Sequence, residues 1–234
     1  MKNTLFFFIL TFASLIHADS FEDPQFINLE NSTLNFLKNS WCSEEKAKLI
    51  LRHVVTHRPS VCVEIGGFTG SSALPMLLGL QYCGSGVGYV VDAWSNVEAV
   101  NGLPLDDPNA IWWSQINMAE IKRAFHHTIT QWSLAPYTKV LHMTSASAAP
   151  LIPMIDFLHL DGSFSESGAL LDAELYLPKV VDGGYILVSN ILTMIGKKAS
   201  KMKSLWSFFE YCEIENELEN GNVLLFKKIG GNCE

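Results

Sequence analysis

The segment VCVEIGGFTGSSAL, residues 61–74, changes character at its centre. A β-branched run reaches Glu64, a glycine-rich bend follows, and two serines then lead into an apolar segment. Glycines at such a bend let the backbone turn tightly and approach a ligand closely. The free N–H groups and the positive dipole end of a helix that starts after the bend suit a carboxylate or a phosphate. The segment therefore predicts a strand, a ligand-binding loop and a helix.

Strand and helix patterns alternate along the rest of the chain. Apolar strand patterns occur at residues 87–91, 138–142, 155–161 and 184–188, and helical patterns at 71–82, 115–132, 167–177 and 196–211. This alternation is typical of βαβ units, which build a mostly parallel sheet with helices on both faces.

Three other regions complete this outline. Residues 213–218 and 223–228 flank Asn220-Gly221 and predict a closing antiparallel hairpin. Residues 32–57 have helical periodicity, whereas residues 21–31 show no clear period and residues 93–113 are predicted as irregular. We expect an α/β fold.

Composition limits the classes of function. The chain has 234 residues, of which 48% are hydrophobic and 17% charged, so a buried core is expected and disorder is not. The formal net charge of −8 argues against a nucleic-acid partner, which normally requires a basic face. The five cysteines lie far apart without a C-x-x-C pair, so a zinc site is not expected. Small molecules and proteins stay open as partners.

The N-terminal segment has the pattern of a secretory signal. Lys2 is followed by an apolar run from Leu5 to Ile16, and Ala18 offers a small residue for cleavage. The run is shorter than the ~20 residues that a membrane-spanning helix needs. We predict a signal peptide at residues 1–18, a single domain at 19–234, export to the periplasm or the exterior, and no stable membrane insertion after signal removal. A cytoplasmic location follows if the segment is an amphipathic first helix instead.

The glycine loop differs from the dinucleotide-binding pattern. A G-x-G-x-x-G motif would need a glycine at Phe68, so a nicotinamide cofactor is disfavoured. A second acid, Asp92, follows the next predicted strand, 22 residues after Gly70, which is near the spacing of a ribose-binding carboxylate. Trp94 follows it and is a candidate wall for an adenine ring. The alternative for Asp92 alone is a turn or helix-cap aspartate.

The pattern E-x-G-x-x-x-G at residues 64–70 resembles the first motif of class I S-adenosylmethionine-dependent methyltransferases. Further segments occur in the order seen in methyltransferase family 24: WCSEEKA (41–47), DAWSN (92–96), TSASAA (144–149) and IDFLHLDG with LPKVVDGGYI (155–162 and 177–186). The outline is also similar to metal-dependent enzymes such as catechol O-methyltransferase. The resemblance implies a Rossmann-like, mostly parallel seven-stranded sheet with a C-terminal antiparallel hairpin.

The resemblance also implies a site. The cofactor S-adenosylmethionine would contact the following residues: Glu64, Gly66, Gly67, Phe68, Gly70, Ser71, Asp92, Ala93, Trp94, Ser145 and Asp161. Asp161 would point into the reaction centre. Among the residues there it is the strong candidate for the proton acceptor, and the alternative is an orienting or capping carboxylate. His142 is a weaker candidate base, and His159, in the middle of a strand, is interpreted as a core histidine.

The chain departs from its relatives where some of them hold a divalent metal. Phe164 stands at a histidine position, and Ser189-Asn190 stands where relatives carry Asp-Asp or Asp-Asn. Mg²⁺ prefers anionic oxygens in octahedral geometry, so we do not expect a metal. The leading hypothesis is a methyltransferase that acts on a small molecule, with O-methylation as one option. The alternative is an exported, catalytically degenerate protein that binds S-adenosylmethionine or another small ligand.

Overall fold

The computed structural model describes residues 21–191 and 205–230. The predicted signal peptide at residues 1–18 and Cys233 lie outside the described residues. So does most of the helix predicted at 196–211, with its four lysines, Lys197, Lys198, Lys201 and Lys203.

Between residue 21 and the first strand, two helices are present rather than one. Helix α1 covers Pro24–Leu37 and begins at an Asp23 cap, whose side chain accepts a hydrogen bond from the Gln25 N–H. Helix α2 covers Glu44–His57 and begins at a Ser43 cap. The prediction of a single helix over 32–57, with none over 21–31, was wrong. Asn39 adopts a positive φ of 69°, which breaks the helix, and Ser43 then starts the next one.

Most strands agree closely with the sequence patterns, but the fifth begins at Val180, four residues before the predicted run at 184–188. The strands are β1 (Val61–Ile65), β2 (Val87–Val91), β3 (Thr138–Leu141), β4 (Ile155–Leu160), β5 (Val180–Ser189), β6 (Cys212–Leu218) and β7 (Val223–Lys228). The other α-helices of the described residues are α3 (Ala73–Cys83), α4 (Asn96–Ala99), α5 (Pro108–Gln115), α6 (Met118–Gln131), α7 (Ser145–Ala148) and α8 (Glu166–Tyr176). The region predicted as irregular, 93–113, thus contains α4 and most of α5, each started by a polar cap, Ser95 or Asp107.

The described strands form one seven-stranded sheet in the order β3-β2-β1-β4-β5-β7-β6. Strands β1 to β5 pair in parallel, whereas β7 runs antiparallel to both β5 and β6. This topology confirms the predicted class I fold with its closing antiparallel hairpin.

Two hydrophobic cores cover the two faces of the sheet. Cys62, Phe157 and Leu187 point to the face packed by α2 and α3, while Val63 and Leu158 point to the opposite face with α8. This alternation follows from the period of two along a strand. No helix within residues 21–191 and 205–230 is both long and apolar enough to cross a bilayer.

The carboxyl ends of the central strands meet at one edge. The Gly66 N–H donates to the Val91 carbonyl at 2.9 Å, and the Asp161 N–H donates to the Ile65 carbonyl at 3.0 Å. The chain leaves β1 toward β2 on one side while β4 lies on the other, so the strand order reverses between β1 and β4. Ligands of open α/β sheets bind at such a switch point.

Candidate functional site

A cavity of about 480 Å³ opens at this switch point. Its volume is in the range of small-molecule sites, which run from about 300 to 1,000 Å³. Eight of the eleven cofactor-contact residues predicted from the sequence line it: Gly66, Gly67, Phe68, Ser71, Asp92, Ala93, Ser145 and Asp161. The other three, Glu64, Gly70 and Trp94, lie behind its wall.

Asp92 is fixed by the backbone of two loops. Its Oδ2 accepts the Phe68 N–H at 2.8 Å, and its Oδ1 accepts the Trp94 N–H at 2.6 Å. Burial raises the pKa of Asp92 above its ordinary value, although these two hydrogen bonds oppose the shift. Each carboxylate oxygen retains an acceptor site, so Asp92 can receive two hydroxyl donors from the cavity.

Trp94 supports the glycine loop from outside the cavity. Its indole N–H donates to the Phe68 carbonyl at 2.9 Å, and its ring packs on Phe125 with the centroids 5.2 Å apart. Gly70 lies beside the same Phe125 ring, which an added Cβ would approach to 3.0 Å. Both residues therefore shape the loop without facing the predicted adenine position.

Glu64 belongs to a buried polar network beneath the loop. The Ser72 hydroxyl donates to Glu64 Oε1, which also lies 3.2 Å from His159 Nδ1, and His159 Nε2 lies 2.9 Å from the Ser189 hydroxyl. Glu64 is fully buried, and His159 and Ser189 are each 1% exposed. Glu64 Oε2 has no hydrogen-bond partner within the described residues. The network ties β1, β4 and β5 together at the floor of the site.

The glycines at the bend provide a close backbone approach. Gly66 has a φ of +95°, and a Cβ there would come within 2.5 Å of the Asp161 carbonyl oxygen. A Cβ on Gly67 would come within 2.5 Å of a Val90 methyl carbon. Helix α3 then begins at Ser72 without a side-chain cap, because the Ser72 hydroxyl bonds Glu64 instead. The uncapped helix start beside the cavity suits a carboxylate ligand.

Asp161, which follows β4, has a cation and an amide as side-chain partners. The Asn190 amide donates to its Oδ1 at 2.5 Å, and the Lys46 ammonium lies 3.6 Å from its Oδ2. His159 Nε2 lies 3.7 Å from the same Oδ2. Asp161 thus lies in the cavity with both oxygens oriented.

These side chains do not fit a divalent metal ion. Asn190 turns its amide nitrogen toward Asp161, and Ser189 is turned into the buried network with His159. The ammonium of Lys46 occupies the side of Asp161 that a cation would approach. Within the described residues, no cluster of three or more His, Cys, Asp or Glu side chains forms a metal-binding group.

Aromatic rings form part of the cavity wall. Trp41, Phe68, Trp113 and Phe164 all face the cavity. The rings contact one another, with the Trp41 and Phe68 centroids 5.3 Å apart and those of Trp113 and Phe164 5.4 Å apart. Helix α5 carries Trp113 into this cluster, so packing explains part of the aromatic content of residues 93–113.

His142, the weaker base candidate, lies away from the cavity. It is exposed, and its ring nitrogens lie 3.0 Å from the Ala93 carbonyl oxygen and 2.7 Å from the Lys122 amine. Lys46, in contrast, lines the cavity, although sequence reasoning assigned it no role. The sequence contained a partial signal, because Ser43, three residues before Lys46, is a cap residue that predicts a helix start. Nothing in the pattern predicts that the Lys46 side chain faces the cavity.

Comparison with known proteins identifies the family. A model described as a methyltransferase domain, that of methyltransferase family 24, matches residues 63–191, which is more than half of the chain. The chain belongs to this family of class I S-adenosylmethionine-dependent methyltransferases. The family predicted from the sequence is therefore confirmed. No curated protein matches the chain.

Solved methyltransferase structures share the fold at low sequence identity. The O-methyltransferase NovP is 16% identical, with a TM-score of 0.62, and the match covers 80% of this chain and 79% of NovP. TomG, an O-methyltransferase of Streptomyces achromogenes involved in tomaymycin synthesis and solved with S-adenosylmethionine, is 10% identical; the TM-score is 0.57 and the coverages are 87% and 90%. PaMTH1, a Podospora anserina methyltransferase bound to S-adenosylhomocysteine, is 13% identical, with a TM-score of 0.54 and coverages of 86% and 87%.

Proposed function

We propose that the protein transfers a methyl group from S-adenosylmethionine to a hydroxyl oxygen of a small molecule. The observation that carries this proposal is the cavity at the switch point, where a glycine bend, an oriented Asp92 and an oriented Asp161 meet. The family and the O-methyltransferases among its structural neighbours support the same reaction class.

The chain offers a site for each part of the cofactor. The uncapped start of α3 and the bend at Gly66 would hold the amino-acid end of the cofactor, because the bend lets the backbone approach a ligand closely. Asp92 would accept the two ribose hydroxyls, and Ala93 and Ser145 line the neighbouring wall for adenine. When bound, S-adenosylmethionine supplies a methyl group whose bond to sulfur breaks, leaving its electron pair on sulfur, as the new bond to the acceptor oxygen forms.

Asp161 would take the proton from the acceptor hydroxyl. A hydroxyl of high pKa is a poor nucleophile until a base removes its proton. Asp161 is oriented for this task by Asn190, and it faces the cavity at the end of β4. The aromatic wall would hold a flat acceptor in one orientation, which is the main requirement of a methyl transfer.

Calorimetric titration of the full chain with S-adenosylhomocysteine tests the cofactor site. We expect binding, and we expect Asp92→Ala to weaken it about 30- to 1,000-fold, because two hydrogen bonds to a charged acceptor are worth about 2–4 kcal/mol together. Asp106→Ala is the matched control, since Asp106 is an exposed loop aspartate outside the cavity. Absence of binding to folded protein would refute the proposal.

A further inference from the structure

Lys46 is a buried cation whose position is set by the start of α2. Ser43 caps this helix by accepting the Lys46 N–H at 3.2 Å, which makes Lys46 the third residue of α2. The side chain is only 6% exposed, and it lines the cavity. Burying an ammonium is costly unless it is paired and hydrogen-bonded.

The pairing seen for this ammonium is incomplete. Asp161 Oδ2 lies 3.6 Å from Nζ, which is longer than a hydrogen bond, and no closer acceptor for Nζ is present in residues 21–191 and 205–230. An ammonium carries three donors. Lys46 therefore has donor capacity for an acceptor atom that enters the cavity.

The surroundings keep Lys46 charged. Burial by itself lowers the pKa of this amine, but Coulomb interactions, the largest of them with the Asp161 carboxylate, outweigh it, so that the pKa is raised above its ordinary value. A cation beside Asp161 is thus built into the chain itself.

Lys46 lines the same cavity as several aromatic side chains, which offer flat apolar surfaces to a ligand. Trp41 precedes α2 and is 5.0 Å from Trp112 and 5.3 Å from Phe68 between centroids. Trp113 and Phe164 close the same wall. Flat aromatic molecules stack well against such a surface.

We propose that Lys46 binds the reacting oxygen of an aromatic hydroxyl compound as an oxyanion, in place of a metal ion, while Asp161 takes the proton. This inference rests on the proposed function and names its acceptor class. The hydroxyl proton moves to Asp161, the oxygen stays paired with the Lys46 ammonium as a phenolate, and its lone pair then forms the bond to the methyl carbon. No metal is required for the charge balance.

The probe for this site is 4-nitrophenol, because ionisation changes its visible absorbance. Full-chain protein saturated with S-adenosylhomocysteine is titrated with the probe across pH, with EDTA present. We expect the wild type to bind the phenolate form and to lower the apparent pKa of the bound probe by about one unit or more, which corresponds to at least about tenfold preference for the anion.

Matched lysine variants isolate the role of Lys46. Lys46→Met keeps the apolar length of the side chain and removes its charge, and we expect it to weaken phenolate binding about tenfold or more. Lys48→Met is the control, since Lys48 lies two residues further along α2, is exposed and pairs with Glu44; it should leave binding within about twofold. Equal binding by the wild type and Lys46→Met would overturn the inference.

A second measurement needs no variant. 4-Nitroanisole has the shape of the probe without an ionisable hydroxyl, so the wild type should bind it at least about tenfold more weakly than the phenolate. Equal affinity for the two, no binding of the phenolate at millimolar concentration, or a requirement for Mg²⁺ would each overturn the inference. S-adenosylhomocysteine binding separates the two proposals. If the protein binds S-adenosylhomocysteine but does not bind the phenolate as expected, the proposed cofactor site is supported and the proposed role of Lys46 is refuted.

Discussion

Gly66→Ala should disrupt the centre of the site through two separate costs. Gly66 has a φ of +95°, and an alanine in the left-handed region costs about 1–2 kcal/mol. In addition, the new Cβ would lie 2.5 Å from the Asp161 carbonyl oxygen and 2.9 Å from Gly162 Cα, where ordinary contact begins at 3.4 Å. These neighbours are backbone atoms, so β1 and β4 must separate, which adds about 1–3 kcal/mol as in other overpacked sites. The free energy of unfolding should fall by about 2–5 kcal/mol in total.

Gly183→Ala is the matched control for the cost of placing alanine at a positive φ, without the steric clash. Gly183 has a φ of +79°, but nothing lies within 4 Å of an added Cβ. We expect this variant to lose about 1–2 kcal/mol in urea unfolding and to bind S-adenosylhomocysteine as the wild type does. Gly66→Ala should be less stable than this control and should bind the ligand at least about tenfold more weakly, because Asp161 and the bend must move. Equal stability and equal affinity of the two variants would refute the reasoning.

Two further predictions concern the first helices. Burial, with a smaller contribution from His57, lowers the pKa of His53 from 6.5 to about 3. Below pH 6.5 the unfolded chain therefore binds a proton that the folded chain does not bind. The contribution of neutral His53 to the free energy of unfolding is present above this pH and is lost as pH falls. Urea unfolding between pH 7.5 and 5.5 should show a slope up to about 1.4 kcal/mol per pH unit that His53→Leu removes, and an unchanged slope would contradict the assignment. Arg52 donates to both Glu30 oxygens, at 2.6 and 2.8 Å; an alanine double-mutant cycle should give a coupling of about 1 kcal/mol that decreases in high salt, and zero coupling at low salt would show that the pair adds nothing.

Much of the fold could be predicted because its signals are local. The runs at 61–65 and 87–91 coincide with β1 and β2 as observed, since β-branched residues bounded by turn residues define both ends. The break between α1 and α2 was missed, because it depends on the left-handed Asn39, and helical periodicity continues across it. Caps and backbone handedness are weaker sequence signals than apolar periodicity.

The site was predictable only in part, for a related reason. Asp92 and Asp161 follow β2 and β4, the two parallel strands that flank β1, so strand order alone brings them to one edge. The direction of a side chain within a loop, in contrast, depends on contacts with residues that are distant in the sequence. Trp94 lies only two residues after Asp92, yet its ring packs against Phe125 while its indole N–H donates to the Phe68 carbonyl.

The sequence by itself determined the family, the parallel sheet with its closing hairpin, and the glycine bend that precedes α3. These follow from periodicity, turn residues and motif spacing, which a chain displays without its neighbours. Only the tertiary structure decided which charges share the cavity. Lys46 and Asp161 are 115 positions apart in the chain, and their 3.6 Å approach depends on how α2 packs beside the ends of β4 and β5. Long-range packing places a buried cation beside Asp161, and no local pattern in the sequence encodes that meeting.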